Sequence, residues 1–140
     1  MQFDADGDEV TRVRLPDDMN PDHAVESPTG TFIVSHKNTR LKDQCQVSEV
    51  TGEGQVLRKF SGPLGVTPHI AVDSQGNVFV ADRDSRRVLL LDAQLALRHV
   101  IIDEHQLNYE PLRLCYMEQS GQLLVGLHSC SVAVFHVLHR

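Results

Sequence analysis

Tryptophan is absent from the 140 residues, and aromatic side chains make up only 5% of them. So few rings leave little material for the stacking platforms that grip single-stranded bases. Cysteine is also scarce. Cys45, Cys115 and Cys130 form an odd, scattered set without a CxxC pair, which argues against a disulfide framework or a zinc knuckle. A reducing compartment follows as the simpler setting, and the expected location is cytoplasmic. No stretch approaches the ~18 apolar residues of a membrane helix. The opening MQFDADGDEV has neither a charged n-region nor an apolar h-region and does not read as a signal peptide. GxSxG and HExxH are missing, and no GxGxxG precedes a helix. The sequence therefore predicts no enzyme and no cofactor.

What is present suffices for one ordinary domain. Hydrophobic residues make up 41% and supply a core. The net charge of −6 disfavours indiscriminate binding to nucleic acid or anionic membrane. Most of that charge is local. Residues 1–22 hold seven acids against Arg12 and Arg14. This run reads as a solvated turn and linker, with an acidic docking segment as the functional alternative. Within it, Asp4-Ala5-Asp6-Gly7-Asp8 has the opening of a calcium loop but lacks the later ligands and the closing Glu.

The chain repeats itself. Ile70-Ala71-Val72-Asp73-Ser74-Gln75-Gly76-Asn77-Val78-Phe79-Val80-Ala81-Asp82 places two short apolar runs around a polar turn. An earlier copy runs from Ala24 to His36 and a later one from Leu114 to Gly126. The turn glycines Gly30, Gly76 and Gly121 are spaced by 46 and then 45 residues. Glycine there supplies the positive φ of a tight hairpin. Each copy continues through a polar loop (36–44, 82–86, 126–130) into a third apolar run. In the first two copies a second turn leads to a fourth run, Val56–Phe60 and Leu95–Ile102. Four short strands per ~45 residues, joined by turns, predict a β-propeller blade. Apolar residues alternate or cluster and do not recur at helical period. A short helical turn over 103–108 stays open.

The predicted fold is all-β, with about three four-stranded antiparallel blades forming a partial propeller or half of a six-bladed ring. An outer strand over 8–15 opens the chain. Blades follow at 21–60, 66–102 and 112–137, the last lacking its outer strand. The opening strand is expected to complete that last blade and staple the ring. Three blades are fewer than the ~4–8 that close a ring, so self-association or further blades are expected.

Pro68 to Leu91, PHIAVDSQGNVFVADRDSRRVLLL, resembles an NHL repeat. The likeness is specific over residues 68–82. Beyond them, Ser85 and Arg86 stand where that family's Asn-His would be, while Arg87 and Val88 fit. In the outer copies Val34-Ser35-His36 and Val125-Gly126-Leu127 replace Val-Ala-Asp. The chain is similar to the C-terminal propellers of tripartite-motif proteins. That resemblance implies a non-catalytic module that binds a protein, as the substrate- or partner-binding part of a ubiquitin ligase system. No RING, B-box or coiled-coil heptads are present, so ligase activity would belong to a longer parent.

Three constellations stand out. Lys37, Arg40 and Lys42 in one loop, and Arg83, Arg86 and Arg87 in the next, account for six of the thirteen Lys and Arg residues. Such loops share one rim of a propeller and could contact phosphates. Asp43, Asp82 and Asp84 dilute them, and no exposed aromatic is expected beside them. A protein partner is therefore the primary reading and RNA the alternative. Asp73 and Asp82 read as structural carboxylates that accept backbone N–H groups, with local pairing of Asp82 to its arginines. His23 and His69 stand in register near the expected axis, but the third copy offers Arg113-Leu114 there. Zinc needs at least three ligands, so no metal is expected and a metal-dependent lyase is the remote alternative. Cys115, in an inner strand, is expected to be buried, and Cys130 to be the more reactive thiol.

Overall fold

A computed structural model describes residues 11–137. Among them the chain forms eleven antiparallel strands in three sheets and no helix. The first sheet contains β1 (Met19–Glu26), β2 (Phe32–Asn38), β3 (Gln44–Val50) and β4 (Val56–Phe60), in that spatial order. The second contains β5 (His69–Val72), β6 (Val78–Asp82), β7 (Arg87–Leu91) and β8 (Leu97–Ile102). The third has three strands, β9 (Pro111–Met117), β10 (Gln122–Leu127) and β11 (Val132–His136). The inner strands β1, β5 and β9 are neighbours, so the sheets stack like consecutive propeller blades. No helix of the described residues is long and apolar enough to cross a membrane.

The alternation of each strand determines which sheet it meets. Ile33 and Val47 of the first sheet pack against Ile70, Val80, Leu89 and Leu91 of the second. Phe79, Ala81 and Val88 on the other face of the second sheet pack against Leu114, Leu123 and Val125 of the third. The middle sheet is thus covered on both sides, and every residue of β6 is buried. Phe79, fully buried, stacks on Tyr116 with ring centroids 5.0 Å apart. Burying such a ring contributes about 2–3 kcal/mol.

Turns hold the strands in register. Gly30, Gly76 and Gly121 have φ of 86°, 87° and 65°. At the middle turn, Asp73 is 4% exposed. Its Oδ1 accepts the N–H groups of Gln75 and Asn77, both at 2.9 Å, and its Oδ2 accepts the Asn77 amide at 3.0 Å. Sheets are also tied sideways. The Arg58 Nε donates to Gln94 Oε1 at 2.8 Å, and the Ser74 N–H donates to Glu118 Oε1 at 2.7 Å.

Three features depart from the sequence-based expectation. Residues 11–15 form no strand, and residues 8–10 lie outside the described residues. Instead of reaching the last blade, Leu15 packs with Met19, Val34 and Val50 on the outer face of the first sheet. Val13 and Leu15 line a small apolar cleft there with Phe32, Val34 and Val50. Burial explains the choice: this bare apolar face lies immediately beside the segment. The Arg14 backbone crosses the β3–β4 turn so closely that a Cβ on Gly54 would sit 1.9 Å from its carbonyl oxygen. Second, Cys115 is exposed. Alternation along β9 turns it to the outward face of the last sheet. Third, Tyr109, 51% exposed, stands beside the start of β9 on the rim thought to lack aromatics. Residues 103–107 make only a tight turn, with the Leu107 N–H on the Asp103 carbonyl.

Candidate functional site

The starts of the inner strands and the ends of β2, β6 and β10 share one rim, because each pair is antiparallel. The register aligns His23 with Ser35, His69 with Ala81 and Arg113 with Gly126. His23, His69 and Arg113 are therefore equivalent positions in the three sheets. Around them lies a cleft of about 390 Å³ lined by Asp22, His23, Thr67, His69, Arg83, Leu112 and Arg113.

The two histidines carry out a structural task first. Their rings stack with centroids 3.9 Å apart and planes inclined by 20°. The His23 Nδ1 accepts the N–H of Ile70 at 3.3 Å. The His69 Nδ1 accepts the N–H of Leu114 at 3.0 Å. Each ring thus reaches from its own inner strand to the next one and ties neighbouring sheets at the axis. An Nδ1 that accepts cannot carry a proton, so each neutral ring bears its proton on Nε2. Burial lowers the His69 pKa to about 4, with the adjacent His23 ring and Arg113 acting in the same direction. Burial also lowers that of His23, and Arg113 adds to it, while Asp22 opposes.

Arg83 is the one member of the two basic loops that lines this cleft. Its Nε is buried without a hydrogen-bond partner, and its Nη2 lies 3.9 Å from Glu110. The other five are placed elsewhere. Arg87 donates to the buried Asp82 at 2.7 Å and so braces β6 against β7. Lys37, Arg40, Lys42 and Arg86 are exposed on the rim. Lys42 and Arg86 have positive φ, 53° and 50°, near the ends of their loops. Asp22, Thr67 and Arg113 escaped the sequence reading as cleft residues. Arg113 had been visible only as the break in a histidine register.

No group of three or more His, Cys, Asp or Glu residues that could hold a metal ion occurs among the described residues. His36, fully buried where His23 and His69 are half-buried, is occupied by Ser48: its Nε2 lies 2.7 Å from Oγ. Burial lowers its pKa.

No family model matches the chain. No curated protein matches it either. Solved structures do. The chain is similar to a protein of unknown function from Bacteroides caccae, at 18% identity and a TM-score of 0.57. That match covers 96% of this chain and 52% of the other. It is also similar to selenomethionine-substituted virginiamycin B lyase from Staphylococcus aureus, at 14% identity and a TM-score of 0.56. There it covers 96% of this chain and 47% of the other. The chain thus spans about half the length of these structures, and at such identities the likeness shows the fold, which is propeller-like and all-β.

Proposed function

We propose that the chain is part of a propeller that works by binding protein and performs no chemistry of its own. The observation that carries this reading is the uncovered outward face of the last sheet. Val25 with Ile33, Ala71 with Phe79, and Cys115 with Leu124 are equivalent cross-strand pairs in the three sheets. The first pair packs into the core between the first two sheets, and the second into the core between the last two. Among the described residues the third has no sheet beyond it. Val134 extends its row across β10 to β11. Val134 is 55% exposed, and Val132 and Met117 beside the row are 61% and 46% exposed. Apolar patches of this kind mark protein contacts. The occupant favoured by the half-length match is another set of blades, which a second copy of this chain can supply.

The NHL-like stretch over residues 68–82 supports a place in a tripartite-motif-like system in the cytoplasm, with ubiquitination supplied by a RING elsewhere. A second reading, RNA binding, is favoured by Lys37, Arg40, Lys42 and Arg86, which stand exposed on one rim with Tyr109.

Cys115 reports on the apolar face. A maleimide should modify it more slowly as protein concentration rises, while Cys130, in the loop before β11, stays equally reactive. Leu124→Glu should abolish that concentration dependence. A Cys115 rate that is flat in the unmodified chain would sink the reading.

A further inference from the structure

The axial cleft holds more donors than its own residues satisfy. Two stacked neutral imidazoles line it, and their Nδ1 atoms are taken by backbone N–H groups of the next sheets. Each ring keeps an Nε2–H donor. Arg83 adds a guanidinium whose Nε is buried without an acceptor. Arg113 brings a second guanidinium from the position equivalent to the two histidines. The Arg83 Nε is closed to solvent and unpaired, so the end of its guanidinium is the part that an acceptor in the cleft can reach.

The charge balance narrows the choice of acceptor. Asp22 lies in the lining, and Glu110 stands 3.9 Å from Arg83. Two guanidiniums and two carboxylates balance, so an anion that displaces Glu110 restores neutrality only if it carries a single charge. The Glu110 contact is long and its side chain is 43% exposed, so an incoming carboxylate can replace it. The end of a guanidinium offers its two Nη groups as a planar fork that matches the two oxygens of a carboxylate. The cleft volume of about 390 Å³ suits one side chain or chain end rather than a large ligand.

We propose that this cleft is a carboxylate-binding subsite for a peptide segment of a protein partner, gripped by Arg83 and Arg113 with the Nε2–H groups of His23 and His69. The subsite rests on the protein-binding reading, and Arg113 shares the outward side of β9 with Cys115. The two tests still part: the maleimide rate reads self-association at Cys115, whereas the histidine signals read the cleft at one fixed protein concentration.

The test is a titration of the intact chain followed by the ring nitrogen and carbon signals of its histidines. Two probes separate the sources of the carboxylate. N-acetylglutamate α-amide offers only a side-chain carboxylate, and N-acetylglycine only a terminal one. Saturable shifts of the His23 and His69 signals are expected from at least one, and the tighter probe identifies the source. Arg83→Met and Arg113→Met should each weaken that binding by about tenfold or more. The amide signals of Ile70 and Leu114 report that the sheets remain joined. Should Arg83→Met fail to fold, Arg113→Lys keeps the charge without the fork and should still weaken binding severalfold. Three results would overturn the proposal: no saturable shift from either probe, shifts that survive the arginine substitutions, or inorganic phosphate shifting the rings as strongly as the carboxylates.

Discussion

Asp73 ends β5 and closes the turn to β6 with three accepted hydrogen bonds from inside a nearly buried site. Asp73→Ala removes the acceptor and leaves those donors short, which should cost about 2 kcal/mol or more in a denaturant melt. Gly76, in the same turn at φ 87°, has a second constraint: a Cβ there would lie 3.2 Å from the Ala93 Cβ. Gly76→Val should destabilise by about 1 kcal/mol or more, since a β-branched residue is strained in that region. An unchanged midpoint would contradict the turn geometry. His69 makes stability depend on pH. Its folded pKa of about 4 lies below the ordinary 6.5. The unfolded chain therefore binds the proton first as pH falls. The contribution is full above 6.5, drains away between 6.5 and about 4, and levels off below. Protonation at Nδ1 would also remove the acceptor of the Leu114 N–H. Denaturant melts across that window should show the decline, and His69→Asn, which keeps an acceptor near the Nδ1 position, should show a shallower one. An equal slope in both would contradict the assignment.

Strand pairing was the most legible level of the sequence. Val56–Phe60 and Arg87–Leu91 stand as β4 and β7, where apolar runs fall between Gly, Asp and Ser turns. The repeat of Gly30, Gly76 and Gly121 carried the blade spacing, because a positive φ at a fixed offset leaves few residue choices. Less legible was what each strand meets. Alternation places Cys115 and Leu114 on opposite faces of β9, but which face has a neighbouring sheet is a property of the stack. Likewise Val13 and Leu15 have the alternation of a strand, yet the nearest apolar face takes them before any strand partner does. Local pairing of Asp82 to its arginines was legible in the 82–87 loop, but not which arginine takes it. Arg87 is bound to Asp82, while Arg86, just before β7, is exposed. Arg86→Ala alone should therefore lower the salt slope of any RNA binding by about one. Arg87→Ala should act mainly through stability. The expected outcome with unmodified protein is little RNA affinity at physiological salt. Tight, salt-dependent binding would favour the RNA reading over the protein one.

At the scale of the whole molecule, three stacked sheets have two buried interfaces and two outer faces. The first outer face is partly covered by Val13 and Leu15. The last, with Leu124, Val134 and Cys115, is bare among the described residues. Units in such a stack draw much of their stability from neighbour interfaces, so under the proposed function the third sheet is expected to be the weakest and the one that takes a partner. The chain spans about half the length of the propeller-like structures it is similar to. The most direct measurement is the mass of the purified chain by light scattering at about 50 µM, a concentration at which a micromolar self-association is populated. A mass of two copies or more, reduced to one copy by Leu124→Glu, is the predicted result. A stable monomer with a sharp cooperative melt and no dye-binding apolar surface would contradict it.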